Sequence, residues 1–226
     1  MPALIVVLVI LLIVLLAVAA ALRRARRADF IRRQALPPGL FDKLRAQHPQ
    51  LTLKDCQLVA QALRQFFLAY LQGRLQPVAM PSQVVDDLWH AFILHTRAYA
   101  VFCDGAFGRF MHHTPAVAMG GSKASNTGLR RCWWQCCRAE NINPKQPTRL
   151  PLLFAIDNKL AIIGGFRYAP DCGPLKSQGG DGAVAIHCGG DFGSSSVDGS
   201  TDGFGDGGSD GGGGDGGGDG GGGCGS

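Results

Sequence analysis

Residues 3–22 read ALIVVLVILLIVLLAVAAAL and carry no charge. As a helix rising about 1.5 Å per residue, twenty such residues extend roughly 30 Å, the hydrocarbon thickness of a bilayer. In lipid only a helix or a closed barrel satisfies every backbone polar group internally, so this run is expected to be a membrane-crossing helix. Arg23, Arg24, Arg26, Arg27, Arg32 and Arg33 follow it, and no Lys or Arg precedes it. The positive-inside rule then puts the Arg side in the cytoplasm and the short N-terminus outside, an inner-membrane protein in a bacterium. The six guanidinium groups act as a stop-transfer anchor. They also suit the membrane interface, where each gains about 1 kcal/mol against anionic headgroups. The lipid bilayer is thus the first partner. A cleaved signal peptide is the rival reading. It needs a basic n-region, absent here, although Ala17, Ala19, Ala20 and Ala21 would suit a cleavage site.

The rest of the chain divides by composition. Residues 173–226 hold 24 of the 33 Gly and almost no large apolar side chains. Their one Lys and 8 Asp give a net charge of −7, while residues 1–172 carry 21 Lys+Arg against 9 Asp+Glu, a net of +12. The formal charge of +5 therefore hides a basic body and an acidic tail. The two attract within a Debye length of about 8 Å. Gly has the largest backbone entropy and no packing surface, so the tail is expected to be disordered and dispensable for folding. A calcium-binding β-roll is the alternative, but it needs an apolar residue in each nine-residue repeat, and GGDGGGGDGGGDGGGG has none. The expected organisation is a transmembrane segment at 1–22, a basic juxtamembrane segment at 23–36, a core-forming domain at 37–172 and a tail at 173–226. A large multidomain enzyme and a plain soluble secreted protein are both excluded.

The domain reads all-α. Pro37-Pro38-Gly39 separates the membrane-proximal helix from the rest of the domain. Thr52 with Asp55 resembles a capping box. Cys56, Val59, Ala60, Leu63, Phe66, Phe67, Tyr70 and Leu71 then recur at helical spacing, and Gly73 can close that helix. Ser82 is the N-cap of a helix expected to run to about Cys103. Its apolar face carries Val85, Leu88, Trp89, Phe92, Tyr99 and Phe102, with His95 as a core histidine. Asp86, His90 and Arg97 share the opposite face. Residues 120–126 read as a linker. Leu129, Cys132, Trp133 and Cys136 mark another helix with Arg130, Arg131 and Arg138 outward. Pro151 begins a short last helix through about Leu160.

The run Val84-Val85-Asp86-Asp87-Leu88-Trp89-His90, then Tyr99, Phe102-Cys103 and Phe107-Gly108-Arg109-Phe110-Met111-His112-His113-Thr114-Pro115, resembles the bacterial glycine-rich domain-containing protein family, which has looser relatives in plants. The likeness extends through Arg149-Leu150-Pro151 and 168–172. It implies a helical module, with membrane-anchored members, and no particular reaction. Many relatives read W-H-x-H; here the second His position is Phe92.

Asp86 and His90, at i and i+4, can form a carboxylate–imidazole pair, and His112 and His113 can fold back towards them. Together the four would suit zinc or iron. The plainer reading is a polar structural cluster. Cys56, Cys103, Cys132, Cys136, Cys137, Cys172, Cys188 and Cys224 would face a reducing compartment, where an even count does not imply disulfides. Cys132, Cys136 and Cys137 share one helix, unlike the paired turns of structural zinc sites. Trp133 and Trp134 beside Arg130 and Arg131 hint at base stacking, although core packing explains them as well. There is no phosphate-cradling Gly loop and no nucleophile elbow. Glu140 is the only Glu, which excludes paired-Glu acid–base chemistry. The leading reading is therefore a membrane-tethered interaction or scaffold module with a protein partner. A metal-dependent enzyme or metal-binding protein centred on Asp86, His90, His112 and His113 is the alternative. Nucleic-acid binding through the basic face is third.

Overall fold

A computed structural model of the chain describes residues 2–113, 123–170 and 186–192. The apolar run forms a helix that does not stop where the charges begin: α1 spans Pro2–Arg33, long and apolar enough to cross a membrane. Residues 4–16 expose their side chains, whereas Ala28 and Ile31, three apart on one face, are buried. Phe30 lies against Phe102, ring centroids 5.9 Å apart. This approach needs glycine on the other side, since a Cβ at Gly105 would come within 2.8 Å of the Phe30 ring. Gly108, at φ +71°, likewise leaves room for the Arg27 guanidinium. The packed body thus begins inside α1, ahead of the expected boundary at 37. Of the six arginines, Arg23, Arg24, Arg26, Arg32 and Arg33 are exposed, while Arg27 is half-buried against the domain. Arg33 pairs with Asp29 at 2.9 Å.

Helix α2 (Leu40–Gln47) buries Leu40 and Leu44 and starts after Gly39, whose left-handed φ of 80° turns the chain out of the Pro37-Pro38 segment. Helix α3 (Leu53–Gln72) has the expected capping box between Thr52 and Asp55, buries the whole expected stripe, and closes at Gly73. Its Phe66 and Phe67 meet Trp89, Phe102 and Phe107 at 4.9–6.1 Å, which makes α3 the centre of an aromatic core.

The single helix expected from Ser82 to Cys103 is two, α4 (Gln83–Ile93) and α5 (Thr96–Phe107). In a straight helix Phe92 and Phe102 would lie about 15 Å apart along the axis. The break at Leu94 and His95 brings their rings to 5.3 Å, and Phe92 and Tyr99 to 5.2 Å. Aromatic packing outweighs helix continuity here. His95 is consequently not a core histidine. It is half-buried at the corner, with its Nε2 3.3 Å from the Lys43 Nζ. Arg97 no longer shares a face with Asp86.

Helix α6 (Lys123–Ala139) begins within the expected linker. Gly128 lets it close on the 78–79 backbone, where a Cβ would meet the Ala79 nitrogen at 2.9 Å. Arg130, expected outward, is fully buried, because this helix is enclosed on more than one side. Helix α7 (Leu152–Lys159) follows Pro151 as expected. A two-stranded parallel sheet joins β1 (Arg167–Ala169) to β2 (Ile186–Cys188), with Tyr168 opposite His187. A one-turn helix, α8 (Gly189–Phe192), comes next.

Part of the stretch expected to be structureless therefore belongs to the domain. Phe192 is buried among Trp133, Phe154 and Tyr168, with centroids 5.8–6.2 Å away. A Cβ at Gly189 would overlap the Trp133 ring. The Gly-dominated average of the segment conceals this one apolar anchor. The rest of the expected tail, like residues 114–122, lies outside the described residues. Among the described residues the fold is all-α apart from two three-residue strands.

Removing the anchor should be costly. Phe192→Ala is expected to destabilise the chain by about 3–5 kcal/mol. Truncation after Cys172 should lower the thermal midpoint by roughly 6 °C or more. Circular-dichroism melts of both variants check this, and an unchanged midpoint would return 186–192 to the dispensable tail.

Candidate functional site

Helix α4 carries Asp86 and His90, and its start is held from another helix. The Ser82 hydroxyl accepts the Val85 N–H, as an N-cap should, and donates to Asp157 Oδ1 at 2.6 Å. The buried Asp157 carboxylate of α7 also accepts the backbone N–H groups of Gln83 (2.7 Å), Val84 (3.2 Å) and Phe166 (2.9 Å). A negative charge thus sits on the positive end of the α4 dipole and satisfies its orphan donors. The sequence carries no sign of this, because Asp157 is more than seventy residues away.

The segment bearing His113 is pinned from the other direction. Gly108 closes α5 in the left-handed conformation. Arg109 forks onto the Tyr70 hydroxyl (2.8 and 3.1 Å) and the Leu75 carbonyl (2.8 Å). The Trp89 indole donates to the Tyr99 hydroxyl at 3.1 Å, which donates to the Met111 carbonyl at 2.7 Å. Burial pushes the Tyr99 phenol pKa far up, so it stays a donor. The chain then passes over α4, where Trp89 meets the His113 ring edge-on at 4.6 Å.

These constraints bring Asp86, His90 and His113 together. His113 Nε2 lies 3.0 Å from Asp86 Oδ1, and His90 Nδ1 lies 3.4 Å from Asp86 Oδ2. The two imidazole centroids are 4.2 Å apart. One ligand atom from each residue falls within 4.8 Å of the other two. Side-chain exposure rises from 13% at His113 through 23% at Asp86 to 51% at His90, so the cluster opens to solvent on the His90 side. His112, the fourth residue expected here, is not part of it; exposed, its ring lies tilted beside that of Phe110, centroids 4.9 Å apart. Adjacent residues of an extended segment point to opposite sides, so only one of the two histidines can reach α4.

Asp87 serves a different contact. It takes His48 Nε2 at 2.7 Å and Gln83 Nε2 at 2.9 Å, tying α2 to α4. Glu140, too, is structural. Burial raises its pKa, but hydrogen bonds from the Leu152 N–H (2.6 Å), Gln65 (2.8 Å) and Arg149 outweigh it, and the carboxyl sits below its ordinary value.

The other candidate chemistries find little support in the geometry. Cys56, Cys103, Cys132, Cys136 and Cys137 are free and buried. Burial raises the Cys136 thiol well above its ordinary pKa and takes Cys137 to about 12, so neither is a ready thiolate. Trp133, Trp134 and Arg130 are all buried, so no base can stack on these indoles. Among the described residues, no other group of three or more His, Cys, Asp or Glu converges as Asp86, His90 and His113 do.

Compared with known proteins, residues 26–192 match the sequence model of the family described as UCP032817-like. No curated protein and no solved structure matches the chain.

The cluster should depend on Asp86 more than on His90. Asp86→Ala leaves the mostly buried His113 without its acceptor and is expected to cost about 1–3 kcal/mol. His90→Ala and His112→Ala remove more exposed rings and should each cost about 0.5 kcal/mol or less. Urea unfolding of the three variants checks the order; a His112 effect as large as that of Asp86 would contradict the geometry.

Proposed function

Since the chain belongs to the UCP032817-like family, and the matched stretch begins within α1, we propose that it is a membrane-tethered cytoplasmic interaction module whose anchor is also a structural helix of the domain. The observation that carries this reading is the continuity of α1. The apolar turns and the turns that bury Ala28 and Ile31 belong to one unbroken helix. From Leu22 to Ile31 the axis advances only about 14 Å, so the domain would be held close to the bilayer at a set angle. The six arginines after the span favour an N-terminus outside and a domain in the cytoplasm, with Arg23, Arg24 and Arg26 nearest the headgroups. The motif resemblance favours a bacterial glycine-rich branch and an inner-membrane location.

A surface for a partner lies beside the anchor. Leu36, Pro37 and Pro38, where the chain leaves α1, face Leu94, Arg97 and Val101 across a groove of about 730 Å³. Leu94 and Val101 are exposed large apolar side chains at its edge. A protein partner recruited to the membrane would meet this groove at the height that α1 sets.

A photo-crosslinking residue in place of Val101, in the full chain in intact cells, tests both halves of the proposal. The expected result is a discrete adduct with a cytoplasmic protein. An adduct with an exported protein would overturn the orientation, and no adduct would overturn the interaction surface.

A further inference from the structure

We infer that Asp86, His90 and His113 form a binding site for one divalent first-row metal ion of the zinc and ferrous-iron class. Two neutral imidazoles and one carboxylate are the donor set that such ions share. The spacing agrees with it. Tetrahedral bonds of about 2.0–2.1 Å place donor atoms about 3.3 Å apart. His113 and His90 approach the two oxygens of the Asp86 carboxylate, at 3.0 Å from Oδ1 and 3.4 Å from Oδ2, so the carboxylate already lies between the two imidazoles. All three donors lie within 4.8 Å of one another, so convergence on one ion needs only small side-chain rotations.

The donors are also held in advance. Asp86 and His90 ride on α4, whose start Asp157 fixes through three hydrogen bonds. His113 arrives on a segment pinned by Tyr99 at Met111, with Trp89 against its ring. A site built from two independently anchored elements loses little entropy when a ligand joins them. Burial is graded in the direction a metal site requires. Asp86 and His113 form the floor, and half-exposed His90 leaves the remaining coordination positions to water. A purely structural pair would need Asp86 and one imidazole. The second imidazole, with its centroid 4.2 Å from the first, supplies the third donor that a metal site needs. This site goes beyond the tethered-module reading and does not depend on it.

The test uses the full chain in detergent micelles, stripped with a chelator and titrated with zinc by calorimetry. Because the His90 side chain is half-exposed, His90→Ala is expected to keep the fold and is the decisive variant; circular dichroism verifies this. The expected result is one zinc per chain. His90→Ala, Asp86→Asn and His113→Ala should each weaken binding more than about 100-fold, beyond the 10–100-fold typical of outer-shell changes. His112→Ala should leave it unchanged. Cobalt substitution should give a ligand-field spectrum without thiolate charge transfer. Intense bands would mark a four-coordinate, zinc-like site, and weak bands a six-coordinate, iron-like one; both support the site. Zinc binding that survives His90→Ala and Asp86→Asn, a cobalt–thiolate spectrum, or no micromolar binding by the folded chain would overturn it.

Discussion

The packing of the last turns of α1 onto α3 and α5 is the contact on which the rest of the molecule depends. Ile31 and Ala28 enter the same core as Phe66, Phe67 and Phe102, and Phe30 presses on Gly105. A helix whose first part is exposed among the described residues is thereby made part of a cooperative unit. The kink at Leu94 and His95 belongs to the same arrangement. It turns α5 so that Phe102 and Phe107 close over α3 while Gly105 and Gly108 admit Phe30 and Arg27. Fully burying an aromatic or branched aliphatic side chain is worth roughly 1.5–3 kcal/mol, so these few contacts rival the stability of a whole domain.

From that core two polar anchors reach outward to the Asp86 cluster. Asp157 sets the start of α4, and the Trp89–Tyr99–Met111 relay sets the segment that carries His113. Neither anchor touches the cluster's solvent face, yet both decide where its donors stand. The groove beside Pro37 and Pro38 lies against the first turns of α5, next to the end of the anchor helix, whereas Arg27 reaches the other end of α5 at Gly108.

Much of this was legible in the residues. The α3 stripe with its Thr52–Asp55 box, the Ser82 cap and the Pro151 start are local signals, and local physics produces them. The pairing of Asp86 with His90 follows from helical spacing alone, and His113 was in reach because a turn had to return over α4. What the sequence concealed is tertiary. No local rule breaks the helix at Leu94, because the cause is the mutual attraction of rings ten residues apart. Nothing near Asp157 in the chain announces that its partners lie at 82–84. Helical spacing alone places Arg130 outward, and what buries it is the packing of α3, α7 and α8 around α6. Phe192 was lost in a segment average dominated by glycine, and a single aromatic residue there is enough to extend the domain.

The central claim is that α1 is one helix shared between an apolar arm and a folded domain. Hydrogen exchange on the full chain in bilayer nanodiscs tests it at the backbone of residues 28–33. If the last turns of α1 are part of the core, these amides should open only with the domain, at the same free energy as those of α3. Exchange within seconds at 28–33, with α3 still protected, would mean that the helix ends at the membrane and the domain hangs from a flexible linker.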